Sequence, residues 1–279
     1  MENTSVSVII PCFCCASTVE RAVLSVAQQT MKPDELILVD DCSEDDTLTV
    51  LHYLQKKYGA NWIQVIALSR NSGASFARNC GWEKSSGDYV AFLDSDDAWH
   101  SKKIQIQFTW MQAHKEVALS GHGCVMLNPG KDIPVISTDS NCAHYVTRRK
   151  LLISNPFVTP SFMLRRDLHY RFNPALRYAE DHYFLLQLGL DNNIIAFLDI
   201  ELAYIFKEFC VSGISRNKFK MRCGSIKNYV MLRRNGKISF LTMSVLIVYS
   251  IFKHLLFLLI GPRLHEKLNI VINRSVRRI

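Results

Sequence analysis

Residues 87–97 read Gly-Asp-Tyr-Val-Ala-Phe-Leu-Asp-Ser-Asp-Asp, and this stretch decides the fold class. Tyr89 to Leu93 form a continuous apolar run of strand length, and an acidic segment, Asp94 to Asp97, follows it directly. Continuous apolar runs are typical of strands that are buried on both faces of a parallel sheet. In such sheets ligands bind beyond the carboxyl ends of the strands. The stretch therefore predicts an α/β protein with a ligand site that begins at Asp94.

Three more apolar runs precede this one, and a helical pattern follows each of them. The predicted strands are residues 6–10, 35–39 and 62–68. The predicted helices begin at a Ser17–Glu20 capping box, at Ser43 and at residue 74. This alternation predicts a parallel sheet covered by helices. Because Pro11 and Asp40-Asp41 follow the first two strands, we expect them at the same edge of the sheet as Asp94.

The second half of the chain has weaker patterns. Helices are predicted over about residues 100–114 and 179–190, and strands over 118–127 and 161–165. Residues 128–155 are expected to be a loop, because they are rich in Pro, Gly and Asp. The helix at 179–190 opens with Glu180-Asp181, and acidic residues at that position are also favoured by the helix dipole alone.

Composition and missing motifs exclude several classes. Of the 279 residues, 48% are hydrophobic and 21% are charged, which excludes disordered, collagenous and coiled-coil chains. The nine cysteines are an odd number, which favours reduced thiols in core and loop positions over a disulfide framework. The chain contains no G-x-G-x-x-G, no P-loop and no G-x-S-x-G motif. Dinucleotide dehydrogenases, P-loop NTPases and α/β-hydrolases are therefore disfavoured.

The acidic segment after residue 93 has the chemistry of a metal site. Asp94 and Asp96 stand two positions apart at a strand end, where one turn can direct both carboxylates at a cation. Mg²⁺ and Mn²⁺ prefer oxygen ligands and keep few protein carboxylates, with water and substrate phosphate completing the shell. Taken without its context, the same segment would be a solvated acidic loop.

Several motifs in order resemble glycosyltransferase family 2. They are Val6-Ser-Val-Ile-Ile-Pro11, Leu38-Val-Asp-Asp-Cys-Ser43, Arg70-Asn-Ser-Gly-Ala74 with Ala77-Arg-Asn79, the segment 87–97, and Tyr178-Ala-Glu-Asp181. The resemblance covers about residues 5–215. It implies the GT-A fold, a single α/β domain with a mainly parallel sheet. It also implies an inverting transfer of a sugar from a nucleotide diphosphate donor, with Mn²⁺ or Mg²⁺ as the cofactor.

The resemblance implies a set of donor-binding residues. Pro11 would lie beside the base and the ribose, and Asp41 would accept a hydrogen bond from the imide N–H of uracil, so that the donor is a UDP-sugar. Arg78 would contact the base or the phosphates. Asn71 belongs to the same set by its motif, as do Asp94 and Ser95.

The resemblance also implies the metal ligands and the base. Asp96 would bind the metal, Asp94 would lie at the ribose or close to the metal, and Asp97 could substitute for either. Asp181 would be the general base, with Glu180 as its neighbour. A carboxylate there would take the proton of the acceptor hydroxyl as that oxygen attacks the anomeric carbon.

Some features depart from the family pattern. Cys14 stands where the family usually has Asn, and residues 204–215 lack the His that many members carry there. Lys207 is expected to contact phosphate in its place, or else Asp96, diphosphate and water hold the metal. The basic residues Arg216, Lys218, Lys220 and Arg222 form either a flexible loop over the diphosphate or a solvated face. The Q-x-x-R-W signature of processive synthases is missing, so we expect one sugar per encounter.

The C-terminal tail has a different composition from the body. Residues 211–279 carry 14 basic residues and one acid, whereas residues 1–210 carry 19 basic and 24 acidic residues. A mainly apolar stretch runs from Lys237 to Arg263, and Gly261-Pro262 is expected to end its helix. Apolar length with basic flanks predicts a helix in the plane of a membrane surface. The alternatives are a membrane span, and a buried helix or oligomer contact, and nucleic-acid binding is not expected.

The sequence predicts a catalytic domain followed by a tail. Residues 1–215 are expected to be a GT-A catalytic domain, with a nucleotide-sugar half (1–98) and an acceptor half (99–215), and residues 216–279 a membrane-associating tail. The expected substrates are a UDP-sugar and a polyprenyl-diphosphate-linked glycan at the cytoplasmic face of the inner membrane, in surface-polysaccharide synthesis. The rival hypotheses are a catalytically silent GT-A scaffold and a nucleotidyltransferase, although the latter would need a Gly-rich basic loop after the first strand.

Overall fold

A computed structural model describes residues 5–127, 142–206 and 217–276, with side chains described as far as Leu259. The chain divides into two compact units, Met1–Gly213 and Ile214–Ile279.

The first half of the first unit is a parallel α/β layer. Its strands are β1 (Val6–Cys12), β2 (Glu35–Asp40), β3 (Ile63–Ala67) and β4 (Tyr89–Phe92). They lie in the order β3-β2-β1-β4 and are all parallel. The connecting helices are α1 (Val19–Ala27), α2 (Thr47–Tyr58) and α3 (Ala74–Lys84). The strands and helices predicted for this half are present, and the carboxyl ends of β1, β2 and β4 lie at one edge of the sheet. Helix α2 begins at Thr47, however, and not at Ser43 as predicted, because the Ser43 hydroxyl donates to Asp40 in the turn after β2.

The second half adds mixed strands to the same sheet. Its elements are β5 (Ala98–Trp99), α4 (Lys103–Ala113), β6 (Val117–Leu127), β7 (Ala143–Tyr145), α5 (Arg148–Ile153), a 3-10 turn (Thr159–Ser161), β8 (Met163–Arg165), α6 (Glu180–Leu190) and β9 (Ile194–Phe206). Strand β8 is antiparallel to β4 and β6, and β9 is parallel to β6. Strands β5 and β7 run antiparallel to β9. The described strands thus form one nine-stranded sheet, in agreement with the GT-A fold.

Some local predictions for this unit were wrong. The expected loop at 128–155 contains β7 and α5, although residues 128–141 lie outside the described residues. Helix α5 forms because Thr147 caps it, accepting the backbone N–H of Lys150 at 3.3 Å. The Ser17 capping box does not form either, since α1 begins at Val19 and the carbonyl of Cys15 accepts the first N–H groups.

An aromatic cluster joins the two halves beneath the site. Trp82 of α3 and Phe92 of β4 pack edge to face with their ring centroids 5.8 Å apart. Phe172 lies 5.3 Å from Phe92 and stacks on Phe184 of α6 at 4.6 Å. Such pairs add about 0.5–1.5 kcal/mol each beyond the area they bury. This cluster fixes α6 against α3 and β4, so that the first turn of α6 is held beside the end of β4.

The second unit consists of two helices that pack against each other, α7 (Lys218–Arg234) and α8 (Phe240–Val276). The basic residues 218–222 were expected as either a flexible loop or a solvated face, and the loop interpretation is wrong because they form the first turns of α7; Arg216 lies outside the described residues. The prediction that Gly261-Pro262 ends the helix is wrong, since α8 continues to Val276 in spite of the hydrogen bond that Pro262 removes and the steric clash of its ring. Within α8, residues 240–259 are long and apolar enough to cross a membrane, by length and composition alone.

Candidate active site

The acidic loop, Asp94–Asp97, follows β4 and brings three carboxylates together. One carboxylate oxygen from each of Asp94, Asp96 and Asp97 lies within 4.8 Å of the others. The loop is anchored on both sides, because the Asp97 carboxylate accepts the backbone N–H of Phe206 at 3.1 Å and the carbonyl of Asp96 accepts a hydrogen bond from Arg21. Asp97 is buried, whereas Asp94 and Asp96 are half-buried.

The donor set of the acidic loop fits a divalent cation. All three groups offer hard carboxylate oxygens, which are the ligands that Mg²⁺ and Mn²⁺ prefer. The half-buried Asp94 and Asp96 leave access for water and for substrate oxygens, which these ions keep in their shells.

Arg78 of α3 lies between the acidic loop and the first turn of α6. Its Nη2 donates to Asp94 Oδ1 at 2.8 Å and its Nη1 to Glu180 Oε1 at 3.4 Å. The Arg78 side chain is 6% exposed. Burial alone lowers the pKa of Arg78, but the negative charges of Asp94 and Glu180 outweigh that effect and raise it. A contact between Arg78 and a nucleotide stays a prediction.

Asp181 lies on the first turn of α6, next to Glu180, and is held from two sides. Its Oδ1 accepts the backbone N–H of His182 at 2.7 Å, and its Oδ2 accepts a hydrogen bond from Asn155 Nδ2 at 2.7 Å. The Asn155 side chain is itself fixed, because its Oδ1 accepts the backbone N–H of Phe157 at 3.0 Å. The carboxylate therefore has a defined orientation.

Burial sets the protonation of this acidic pair. Burial raises the pKa of Asp181, while the hydrogen bonds to its ionised form and the charge of Arg78 oppose that rise. Burial and the neighbouring charge of Asp181 raise the pKa of Glu180 to about 6. A carboxylate with a raised pKa is a better proton acceptor near neutral pH, which is the property that a general base needs.

Asp41 forms the other end of the site, directly after β2. Its two carboxylate oxygens accept the backbone N–H groups of Ser72 and Gly73, each at 2.7 Å. Gly73 has a φ of 88°, a conformation that favours glycine and lets the chain turn both N–H groups toward the carboxylate. Asp41 thus ties the end of β2 to the start of α3.

The remaining donor-site candidates lie around Asp41 and the acidic loop. Pro11 is buried in β1 and pairs in register with Val39 of β2. Asn71 is exposed in the loop that Asp41 holds. Ser95 is half-buried in the acidic loop. Lys207, which was expected to contact phosphate, lies outside the described residues.

The structure therefore brings the predicted residues to one edge of the sheet, where hydrogen bonds join Asp94, Arg78 and Glu180. Sequence reasoning missed two supporting residues. Asn155 lies in a loop with no motif, and Arg21 is an ordinary helix residue by its pattern. Only the fold places them beside Asp181 and Asp96.

Comparison with known proteins identifies the family of the chain. A family model described as Glycosyl transferase family 2 matches residues 7–172. The UDP-Glc:alpha-D-GlcNAc-diphosphoundecaprenol beta-1,3-glucosyltransferase WfgD of Escherichia coli is 30% identical over 228 residues, which are 79% of this chain and 83% of that protein.

Two solved structures share the fold. S. aureus TarS 1-349 in complex with UDP-GlcNAc has a TM-score of 0.63 at 23% identity, over 88% of this chain and 70% of that one. Mannosyltransferase PcManGT from Pyrobaculum calidifontis, in complex with GDP-Man and Mn2+, has a TM-score of 0.63 at 14% identity, over 99% of this chain and 81% of that one. Since the family model spans more than half of its length, the chain belongs to glycosyltransferase family 2 and is a glycosyltransferase with the GT-A fold.

Proposed function

We propose that this glycosyltransferase moves a single sugar from a UDP-sugar to a hydroxyl of a lipid-linked glycan, with inversion at the anomeric carbon. The observation that carries the proposal is the link through Arg78, which joins Asp94 of the acidic loop to Glu180, the neighbour of Asp181. Through these contacts, Arg78 connects the acidic loop, which is the proposed metal and donor site, with the helix turn that carries Asp181, the proposed base. Residues 1–215 are the proposed catalytic domain and residues 216–279 the proposed tail.

The donor would lie across the edge formed by β1, β2 and β4. Asp41 would accept the uracil imide N–H, because a carboxylate offers only acceptors. Pro11, Asn71 and Ser95 would line the nucleotide. Asp96, with Asp94 and Asp97, would hold Mn²⁺ or Mg²⁺, and such an ion supplies neutralisation of the charge that develops on the leaving diphosphate.

Asp181 would take the proton from the acceptor hydroxyl. Its two hydrogen bonds direct the carboxylate, and burial raises its pKa toward the range in which a base is effective. Glu180 would act as the partner of Arg78 rather than as the base, because its carboxylate is engaged by the guanidinium. Attack from the face opposite the diphosphate inverts the anomeric carbon in one step, without a covalent intermediate.

The proposal of a lipid-linked acceptor rests on the similarity to WfgD and on the composition of the C-terminal tail. WfgD is named for an acceptor that is a diphosphoundecaprenol-linked sugar. The apolar stretch 240–259 of α8 and the 14 basic residues after position 210 fit association with an anionic membrane surface. We therefore assign the protein to surface-polysaccharide synthesis, as a peripheral protein at the cytoplasmic face of the inner membrane.

The test is UDP release from a panel of UDP-sugars, with Mn²⁺ and then with a chelator. The variants are Asp96→Asn and Asp181→Asn, and the control is Asp167→Asn, whose side chain is 77% exposed. We expect metal-dependent release from one sugar that Asp96→Asn abolishes and Asp167→Asn retains. Absence of UDP binding by the wild type, measured calorimetrically, would overturn the donor assignment.

A further inference from the structure

Two basic side chains face each other between α7 and α8. Arg222 Nη1 donates to Ser250 Oγ at 3.4 Å, and Lys253 lies one helical turn after Ser250. Both cations are half-buried and close enough for their charges to repel. Within the described part of the chain, Arg222 Nε is buried and makes no hydrogen bond.

No carboxylate within this unit's described side chains balances the two charges. Residues 214–279 contain a single acid, Glu266, which lies beyond the last described side chain. Burial lowers the pKa of Arg222, which reflects the cost of withdrawing a cation from water. Buried charges are normally paired, so this pair is suited to an anion supplied from outside the two helices.

A hydroxyl group and an aromatic ring lie next to the two cations. The hydroxyl of Ser250 lies at Arg222, and the ring of Tyr249 lies 5.4 Å from Lys253 Nζ. A guanidinium, an ammonium and the Ser250 hydroxyl together match the several acceptor oxygens of a phosphate.

The surface of α8 indicates what carries that phosphate. As far as Leu259, its exposed side chains are large and apolar, and they include Phe240, Val245, Val248, Ile251, Leu255 and Leu258. This apolar face lies on the opposite side of α8 from Ser250 and Lys253. A helix of this kind places its apolar side in a lipid surface and keeps its polar side, here with the two cations, at the level of the lipid phosphates.

We propose that Arg222 and Lys253 form a binding site for the phosphate of a lipid. The proposal rests on the membrane association proposed above, but not on the donor or on the base. The phosphate has two chemical sources, the headgroup of an anionic phospholipid or the diphosphate of a prenyl-linked acceptor. Both present the same oxygens to the same two side chains.

The test uses the full chain and vesicle flotation without nucleotide, so that its result is independent of the donor assignment. The variant is Arg222→Gln with Lys253→Met, and the matched control is Arg233→Gln with Arg234→Gln, which removes two exposed charges from the end of α7. Vesicles are phosphatidylcholine alone or with phosphatidylglycerol. A second arm measures binding of farnesyl diphosphate in neutral detergent micelles.

General attraction to an anionic surface grows with the number of basic residues near it and is screened by salt. Both variants therefore lose that contribution equally. At high salt we expect the site variant to bind about tenfold more weakly than the control, because a half-buried pair is screened less. If the site variant binds phosphatidylglycerol vesicles more weakly than the control, the phosphate is that of a phospholipid headgroup. If it binds farnesyl diphosphate more weakly, the phosphate is that of a prenyl-linked acceptor.

Equal binding of the site variant and the control in both arms would overturn the proposal. Circular dichroism compares the helix content of the two variants. A further variant, Lys253→Arg, keeps the charge and is expected to retain binding. Loss of binding in Lys253→Arg, with normal helix content, would likewise contradict a site for phosphate.

Discussion

Asp94 and Glu180 share one guanidinium. Arg78 donates to Asp94 at 2.8 Å through Nη2 and to Glu180 at 3.4 Å through Nη1. The first carboxylate follows β4 and the second opens α6, so a single cation from α3 connects the acidic loop with the helix that carries Asp181. The proposed donor side and acceptor side are therefore one electrostatic unit.

Arg78→Met is expected to destabilise the fold. It leaves two partly buried carboxylates without their cation, and breaking a buried pair from one side costs about 3–5 kcal/mol. The free energy of unfolding in urea measures the loss, and Arg70→Met, at an exposed position, is the control. The double variant Arg78→Met with Glu180→Gln should recover part of the loss. A double variant no more stable than Arg78→Met would contradict the pairing.

Asp181→Asn is expected to reduce transfer about 10²–10⁴-fold, because the amide cannot accept the acceptor's proton. Glu180→Gln should reduce transfer less, since Glu180 contacts Arg78 rather than the acceptor in the proposed mechanism. The measurement is kcat for sugar transfer, with UDP affinity as the control for an intact donor site. If Glu180→Gln lowers kcat more than Asp181→Asn does, Glu180 is the general base and Asp181 is its neighbour.

As the pH is lowered, the rate of sugar transfer is expected to fall. The midpoint of this loss should lie above pH 3.9, which is about the ordinary pKa of aspartate. Asp181 must be ionised to act, and burial raises its pKa, so activity is lost as the pH falls through that raised value. Arg78, Glu180 and Asp94 are the charged groups that act on it from α3, α6 and the acidic loop.

Asn155→Ala should move this acid limb of kcat/KM to higher pH. The hydrogen bond from Asn155 stabilises the ionised carboxylate, so its removal raises the pKa further. Asn155→Asp, which adds a like charge at the same place, should move the limb further still. An acid limb at the same pH in the wild type and both variants would show that the hydrogen bond from Asn155 does not stabilise the ionised Asp181.

Lys103→Met is expected to stabilise the protein at neutral pH by about 1 kcal/mol or more. Lys103 is buried against Trp99, its Nζ makes no hydrogen bond among the described residues, and burial lowers its pKa well below 10.5. Between that lowered pKa and 10.5 the unfolded chain binds a proton that the folded chain does not. Stability of the wild type should therefore rise with pH.

Unfolding in urea at several pH values tests this prediction. The Lys103→Met variant should lose the rise with pH, while Lys102→Met, at the exposed neighbouring position, should keep it. Identical slopes for wild type and Lys103→Met would mean that Lys103 stays charged in the fold.

The first half of the fold could be predicted because its strands are short apolar runs that end in polar turns. The run Tyr89–Phe92 and the acids after it needed no tertiary information. Strand β9 could not be predicted in this way, although it is 13 residues long. Its length is set by pairing with β5, β6 and β7, and Asp199 and Glu201 interrupt its apolar pattern.

The candidate site likewise has a part that local sequence could predict and a part that depends on tertiary packing. Asp94, Asp96 and Asp181 lie in motifs that resemble those of the family, so the sequence alone was enough to propose them as site residues. Motifs carry no distances, however, and the partner of Arg78 and the role of Asn155 depend on how α6 packs against α3 and on the loop before the 3-10 turn. Those contacts arise only once the sheet is assembled.

The two N–H groups that hold Asp41 have a consequence for nucleotide choice. A carboxylate that is fixed at both oxygens cannot rotate away from a base that does not suit it. Uracil would present an N–H to this anion, whereas cytosine presents a lone pair at the same ring position and would be repelled. In the proposed site, rejection of cytidine nucleotides would thus be built into the resting enzyme and would require no rearrangement on binding.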